Sequence, residues 1–131
     1  MKKGKEPVFL GVGTALITPF KDGEIDYEVL DNLIEWQISQ GVGALIIGGT
    51  TGEAATLSEE ERYSLYEHTV EKIRRRTRVI LGTGTNDTRV AVNHTRFAES
   101  IGADGALVVT PYYNKTVPSC EPDGIFASFD T

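Results

Sequence analysis

The sequence predicts an α/β protein built on a parallel sheet, and three observations carry that prediction. Short apolar, β-rich runs alternate with longer stretches whose apolar residues recur at helical spacing. Each run ends in Gly, Thr or Pro, residues that stop a strand and open a loop. Two lead-ins from helix to strand, Gly41-Val-Gly-Ala-Leu and Gly105-Ala-Leu, repeat one another. Alternating units of this kind demand parallel strands joined by right-handed crossovers. Either a doubly wound sheet or part of a (β/α)8 barrel fits them.

Taken in order, Val8 to Thr18 is β-rich and stops at Pro19, and Lys21-Asp-Gly-Glu is a turn. From Asp26 to Gln40, Val29, Leu33 and Trp36, with Leu30, Ile34 and Ile38, form a helical stripe, so Trp36 is expected to pack rather than to act. Asp26 is placed to cap that helix and Gly41 to end it. Ala44-Leu-Ile-Ile47 follows, an apolar run between glycines that reads as a strand buried on both faces. Ser58 and Glu61 have capping-box spacing, and the next helix carries Tyr63, Tyr66, Val70 and Ile73 on one face. Its last turn holds Arg74-Arg-Arg76, which in an acidic chain reads as a solvated helix end suited to the dipole. Arg78-Val-Ile-Leu is a third strand; a helix from about Asn86–Thr88 to Ser100 carries Val90, His94, Phe97 and Ile101 on one face; Ala106-Leu-Val-Val is the fourth strand.

Composition narrows the function classes. With 131 residues, 40% apolar and 24% charged, the chain is long enough for one folded domain. A net charge of −6 argues against nucleic acid or an anionic membrane as partner. No apolar segment approaches the roughly 20 residues that span a bilayer, and the basic N-terminus lacks an apolar stretch and cleavage site after it, so a cytoplasmic location is expected. Cys120 alone excludes a disulfide framework. His68 and His94 lie on different helices, His94 on an apolar stripe where a packed, hydrogen-bonded histidine is the favoured reading, so neither a metal site nor a cofactor is expected.

The chemistry-bearing stretch is Gly48-Gly-Thr-Thr-Gly-Glu53, at the carboxyl end of the second strand, where ligands of parallel α/β proteins bind. Its glycines let backbone approach a small anion, and Thr50 and Thr51 add two hydroxyls that donate or accept. A plain strand-to-helix turn is the bland alternative. Gly82-Thr-Gly84 is followed by Asp87 where a dinucleotide fingerprint would place Gly, which puts nucleotide binding second.

Three motifs in this order, Gly49-Thr-Thr-Gly-Glu-Ala-Ala-Thr-Leu57, Gly82-Thr-Gly-Thr-Asn86 and Val109-Thr-Pro-Tyr-Tyr-Asn-Lys115, together with Gly13-Thr-Ala-Leu-Ile-Thr-Pro19, resemble the dihydrodipicolinate synthase family. That family belongs to the lysine-dependent class I aldolases, alongside N-acetylneuraminate lyase. The resemblance covers residues 8 to about 115 and implies the N-terminal half of a TIM barrel, with 116–131 a divergent loop ending at the start of the next helix near Ile125, Phe126 and Phe129. It implies condensation of pyruvate with aspartate semialdehyde through a Schiff base, on the route to diaminopimelate and lysine, by a homo-oligomer, a dimer or tetramer. By the same resemblance Thr50 and Tyr113 belong to a proton relay, Tyr113 reaching into a partner's site. Thr51, with Gly49 and Gly52, holds the pyruvate carboxylate. Asn86 and Tyr112 match an effector site, but Glu59, Arg62 and Val90 stand where lysine-inhibited members carry histidines and an acid, so weak or no feedback is expected.

The Schiff-base lysine has no counterpart here. Lys2, Lys3, Lys5, Lys21, Lys72 and Lys115 all lie outside the predicted strands, where a desolvated, reactive amine would sit. The chain by itself is therefore expected to be inactive, as a truncated piece of its parent. A full barrel needs roughly 250 residues. A sugar-acid lyase of the same superfamily and a non-catalytic half-barrel for binding or oligomerisation are the alternatives.

Overall fold

A computed structural model describes residues 6–113 and the backbone of 126–128. Strand β1 (Gly13–Ala15) leads through a two-stranded hairpin, β2 (Phe20–Lys21) and β3 (Glu24–Ile25), into helix α1 (Tyr27–Ser39). Then follow β4 (Ala44–Ile47), one 3-10 turn (Ala54–Thr56), α2 (Glu59–Ile73), β5 (Arg78–Gly82), α3 (Thr88–Ser100), β6 (Gly105–Leu107) and β7 (Phe126–Ser128). The main sheet runs β1-β4-β5-β6-β7, with its first four strands parallel and in register Thr14↔Leu45↔Val79 and Leu81↔Ala106. The fold class is therefore the expected α/β: four parallel strands, each pair joined through a helix, arranged as in half of a (β/α)8 barrel.

Local chemistry sets the element ends. The Asp26 carboxylate accepts from the Val29 N–H at 3.1 Å, and Gly41 has φ +77, as a helix end requires. Ser58 and Glu61 form both bonds of a capping box, at 3.1 and 2.8 Å. Along one face of the sheet, Leu16, Leu45, Ile47, Val79 and Leu81 meet Leu30 and Ile34 of α1, Leu65, Tyr66 and Ile73 of α2 and Ala98 of α3. Each large aliphatic buried this way contributes about 1.5–3 kcal/mol.

α1 and α2 are also joined by a ladder of charges. Asp31 and Glu35, one turn apart on α1, face His68, Lys72 and Arg76, whose spacing repeats the turn. His68 Nε2 lies 2.6 Å from Asp31, Lys72 Nζ lies 3.4 Å from Glu35, and Arg76 bonds both Glu35 oxygens at 2.9 and 2.7 Å. The Arg76 hydrogen bonds, aided by Lys72, hold the Glu35 carboxyl at about 2.

Five expectations change. β1 is three residues long, and the Lys21–Glu24 turn carries a short hairpin, so Lys21 does lie in a strand, though an exposed one. Arg74 to Arg76 follow α2 rather than filling its last turn, Arg74 and Arg75 being left-handed at φ +47 and +61. Trp36 is 58% exposed and Val29 44%, because the buried side of α1 centres on Leu30 and Ile34. Helical spacing puts His68 on the polar side of its helix, yet it lies half-buried between α1 and α2, its ring 4.4 Å from that of Tyr27. Phe126, expected to begin a helix, lies in β7, which pairs antiparallel with β6 (Leu107↔Phe126) and covers that edge of the sheet. Ile125, Phe129, Lys115 and Cys120 lie outside the described residues.

Candidate active-site loop

The loop after β4 is built to keep its donors free. Gly48 has φ +67, and a Cβ there would sit 2.9 Å from the Tyr66 ring, so conformation and space both require glycine. The chain then folds on itself: the Gly49 carbonyl accepts from the N–H groups of Gly52 and Ala54 at 3.1 and 3.3 Å, and the Thr50 carbonyl accepts from the Glu53 N–H at 3.0 Å. Glu53 closes the turn at φ +58. These bonds consume carbonyls and leave the first amides unengaged. Among the described residues nothing pairs with the N–H or the hydroxyl of Thr50 or of Thr51, and both residues are exposed.

Neighbouring strands complete the floor. A Cβ on Gly82 would lie 2.3 Å from the Gly48 carbonyl oxygen, so β5 and the loop touch through bare backbone. Gly49, Thr50, Gly82, Gly84, Leu107 and Val109 line one small depression at the carboxyl ends of three parallel strands. Thr83 is fully buried; since the Thr95 hydroxyl donates to the Ala91 carbonyl at 2.8 Å, Thr83 donates to Thr95, also at 2.8 Å. From the β1 side, buried Thr18 donates to the Gly52 carbonyl at 2.7 Å.

Beneath the loop runs a polar chain from α2 to α3. Tyr66, fully buried, donates its hydroxyl to the Gly82 carbonyl and accepts from Arg62 Nη1 at 3.2 Å. Arg62, 5% exposed, donates from Nη2 to the Ala54 carbonyl at 2.7 Å and lies 3.8 Å from Glu59. Glu59 receives His94 Nε2 of α3 at 2.8 and 2.9 Å. Burial pushes the Tyr66 phenol above its ordinary value, which keeps it a proton donor. Burial also acts to raise Glu59, but His94 and Arg62 together hold it below the usual carboxylate value. His94 is thus the packed, hydrogen-bonded histidine that its stripe implies.

The predicted site residues divide into two groups. Gly49 and Thr50 meet in the depression, with Thr51 and Gly52 on the same turn. Tyr112 and Tyr113 do not line it. Tyr113 is 98% exposed at φ +70, a conformation uncommon for a bulky side chain. Asn86 is exposed on the loop after β5. Motif reasoning does not single out Thr18 or Tyr66, and it gives Arg62 only as a mismatch to an effector position. A signal existed for Tyr66: a tyrosine on a buried helix face needs a partner for its hydroxyl.

Comparison with known proteins identifies the family. The sequence profile of the dihydrodipicolinate synthetase family matches residues 8–122. A 4-hydroxy-tetrahydrodipicolinate synthase of Clostridium novyi is 48% identical over 122 residues, covering 93% of this chain and 40% of that protein. The crystal structure of the Thermotoga maritima dihydrodipicolinate synthase superposes with a TM-score of 0.81 at 49% identity, over 85% of this chain and 38% of the other. The chloride-inhibited Acinetobacter baumannii dihydrodipicolinate synthase, solved in complex with pyruvate, gives a TM-score of 0.79 at 45% identity, over 82% and 37%. The chain therefore spans well under half the length of these relatives, and it belongs to the dihydrodipicolinate synthetase family.

Proposed function

We propose that this chain supplies the carboxylate-holding half of a 4-hydroxy-tetrahydrodipicolinate synthase, which condenses pyruvate with aspartate semialdehyde through a Schiff base. One observation carries the reading: among the described residues the N–H and hydroxyl groups of Thr50 and Thr51 are unengaged at the carboxyl end of a parallel strand, while the N–H groups of Gly52, Glu53 and Ala54 close the loop on the Gly49 and Thr50 carbonyls. Fixed donors of that kind suit a carboxylate better than mobile water does. Thr51, with the backbone at Gly49, binds the pyruvate carboxylate; Gly52, expected to share that role, spends its N–H on the Gly49 carbonyl and shapes the turn instead. Thr50, whose hydroxyl can accept one proton while donating another, passes protons to Tyr113. The full exposure of Tyr113 suits a side chain that acts in a partner subunit of a homo-oligomer. Family membership and the pyruvate complex of the Acinetobacter enzyme support the substrate.

The amine that forms the Schiff base is assigned to the C-terminal half of the parent rather than to this chain's lysines. Among those, Lys21 is exposed and Lys72 is paired with Glu35, so neither is desolvated enough to serve as a neutral nucleophile. That same observation favours a second reading, a half-barrel that binds or oligomerises without catalysis. Intact mass after pyruvate and borohydride, with and without a separately expressed C-terminal half, separates the two. The expected result is a reduced adduct on the added half alone, with turnover restored. An adduct on this chain would overturn the assignment of the amine, and no adduct in either arm would favour the binding module.

A further inference from the structure

We infer that Arg62 and Tyr66 are positioning residues that hold the Gly48–Ala54 loop in the shape that presents the Thr50 and Thr51 donors. The inference rests on the reading of that loop as a carboxylate site. Both residues lie beneath the loop, one helical turn apart on α2, and are bonded to each other at 3.2 Å. Each grips a different end of it. Tyr66 packs its ring under Gly48 and pins the touching β5 backbone through the Gly82 carbonyl. Arg62 fastens the far end through the Ala54 carbonyl at 2.7 Å.

Physical cost argues that the arrangement has a purpose. A guanidinium 5% exposed, whose nearest carboxylate is an exposed Glu59 at 3.8 Å, is expensive to bury. Arg62 Nε has no hydrogen-bond partner among the described residues, so the site accepts an unsatisfied donor in order to place Nη1 and Nη2. Only a planar fork reaches a phenol and a carbonyl at once, and lysine, with one ammonium, cannot reproduce it. A loop whose donors must face a ligand cannot be fixed through those donors, so it has to be held by its carbonyls and its floor. Thr18 on Gly52, Arg62 on Ala54 and Tyr66 under Gly48 act in that way. Preorganised donors outperform ones that must be ordered on binding.

The test is Tyr66→Phe, which keeps the ring under Gly48 and removes only the hydroxyl, beside Arg62→Lys, which keeps the charge and loses the fork. The 15N-labelled chain is titrated with pyruvate, and amide exchange is mapped without it. The expected result is saturable shifts at Thr50 and Thr51, weakened about fivefold in each variant. Faster exchange should be confined to residues 48–54 and 82–84, and the cooperative melt should be kept. Unchanged pyruvate affinity and unchanged exchange in Tyr66→Phe would overturn the inference while leaving the carboxylate site standing. If the unsubstituted chain shows no shifts at Thr50 and Thr51, the site reading fails instead, and exchange at residues 48–54 still decides whether the pair holds the loop. Exchange raised throughout both variants would assign the pair to core packing alone.

Discussion

Arg62, in the first turns of α2, and Arg76, just past its end, make superficially similar contacts with opposite physics. Arg76 grips Glu35 with a two-pronged bond in solvent, where water would solvate either partner if the other were removed. Arg62 lies under the candidate site, its nitrogens spent on a phenol and a backbone carbonyl rather than on a carboxylate. The ladder between α1 and α2 can lose a rung and keep its shape. The network beneath the loop is less tolerant, because among the described residues Arg62 and Tyr66 bond each other and a loop or strand carbonyl in the buried interior. The N-terminal part of α2 thus underlies the candidate loop, and its C-terminal end staples the helix layer.

Alanine at each arginine should separate the two most clearly. Arg62→Ala leaves the Ala54 carbonyl and the Tyr66 hydroxyl short of a donor and Glu59 short of a cation, so a loss of about 3 kcal/mol or more is expected from urea denaturation. Arg76→Ala should cost far less, since its partners are solvated. Equal losses from the two substitutions would show that burial does not separate them.

The same contrast explains what could be read from the sequence. Helix ends were legible because caps are local: Asp26, the Ser58–Glu61 box and Gly41 each announce themselves within a few residues. The parallel order followed from alternation alone. The candidate loop stood out because glycines and paired threonines gather at the end of an apolar run. Its support was not. The buried face of α2 contains Arg62 and Thr69 beside Leu65, Tyr66 and Ile73, and a hydrophobic stripe is blind to buried polar residues. The hairpin at Phe20–Ile25 and the pairing of β7 with β6 are set by tertiary contacts that short-range periodicity does not encode.

Acid acts on the exposed ladder. Arg76 and Lys72 hold the Glu35 carboxyl at about 2, below its ordinary 4.5. A lowered folded value means stability fully present above pH 4.5 and lost as pH falls through about 2. Over that window unfolding midpoints of Glu35→Gln should fall less steeply than those of the unsubstituted chain, and added salt should shrink the difference because the pair is exposed. Parallel acid limbs would show that the ladder contributes nothing measurable.

The smallest effect is expected on the flank of α1 that faces away from the ladder. All the acids of α1 that pair with α2 lie on one side, Asp31 and Glu35. Val29 and Trp36 lie elsewhere on the helix and are largely exposed, while Leu30 and Ile34 take the core. A residue already in water has little to lose, so Trp36→Ser should shift stability by no more than about 0.5 kcal/mol, against about 2–5 kcal/mol for Ile34→Ala. Trp36 is the only tryptophan in the sequence, so fluorescence reports on it alone. Its emission should be that of a solvated indole and should be quenched readily by acrylamide. A blue-shifted, protected signal would place the ring under cover, and concentration dependence of that shift would then separate cover by a second copy from cover within the chain. Helical spacing places Val29, Leu33 and Trp36 with Leu30, Ile34 and Ile38 on the packed side of α1; Leu30 and Ile34 take the core, Leu33 and Ile38 pack against it, and this measurement tests whether Trp36 stands outside it.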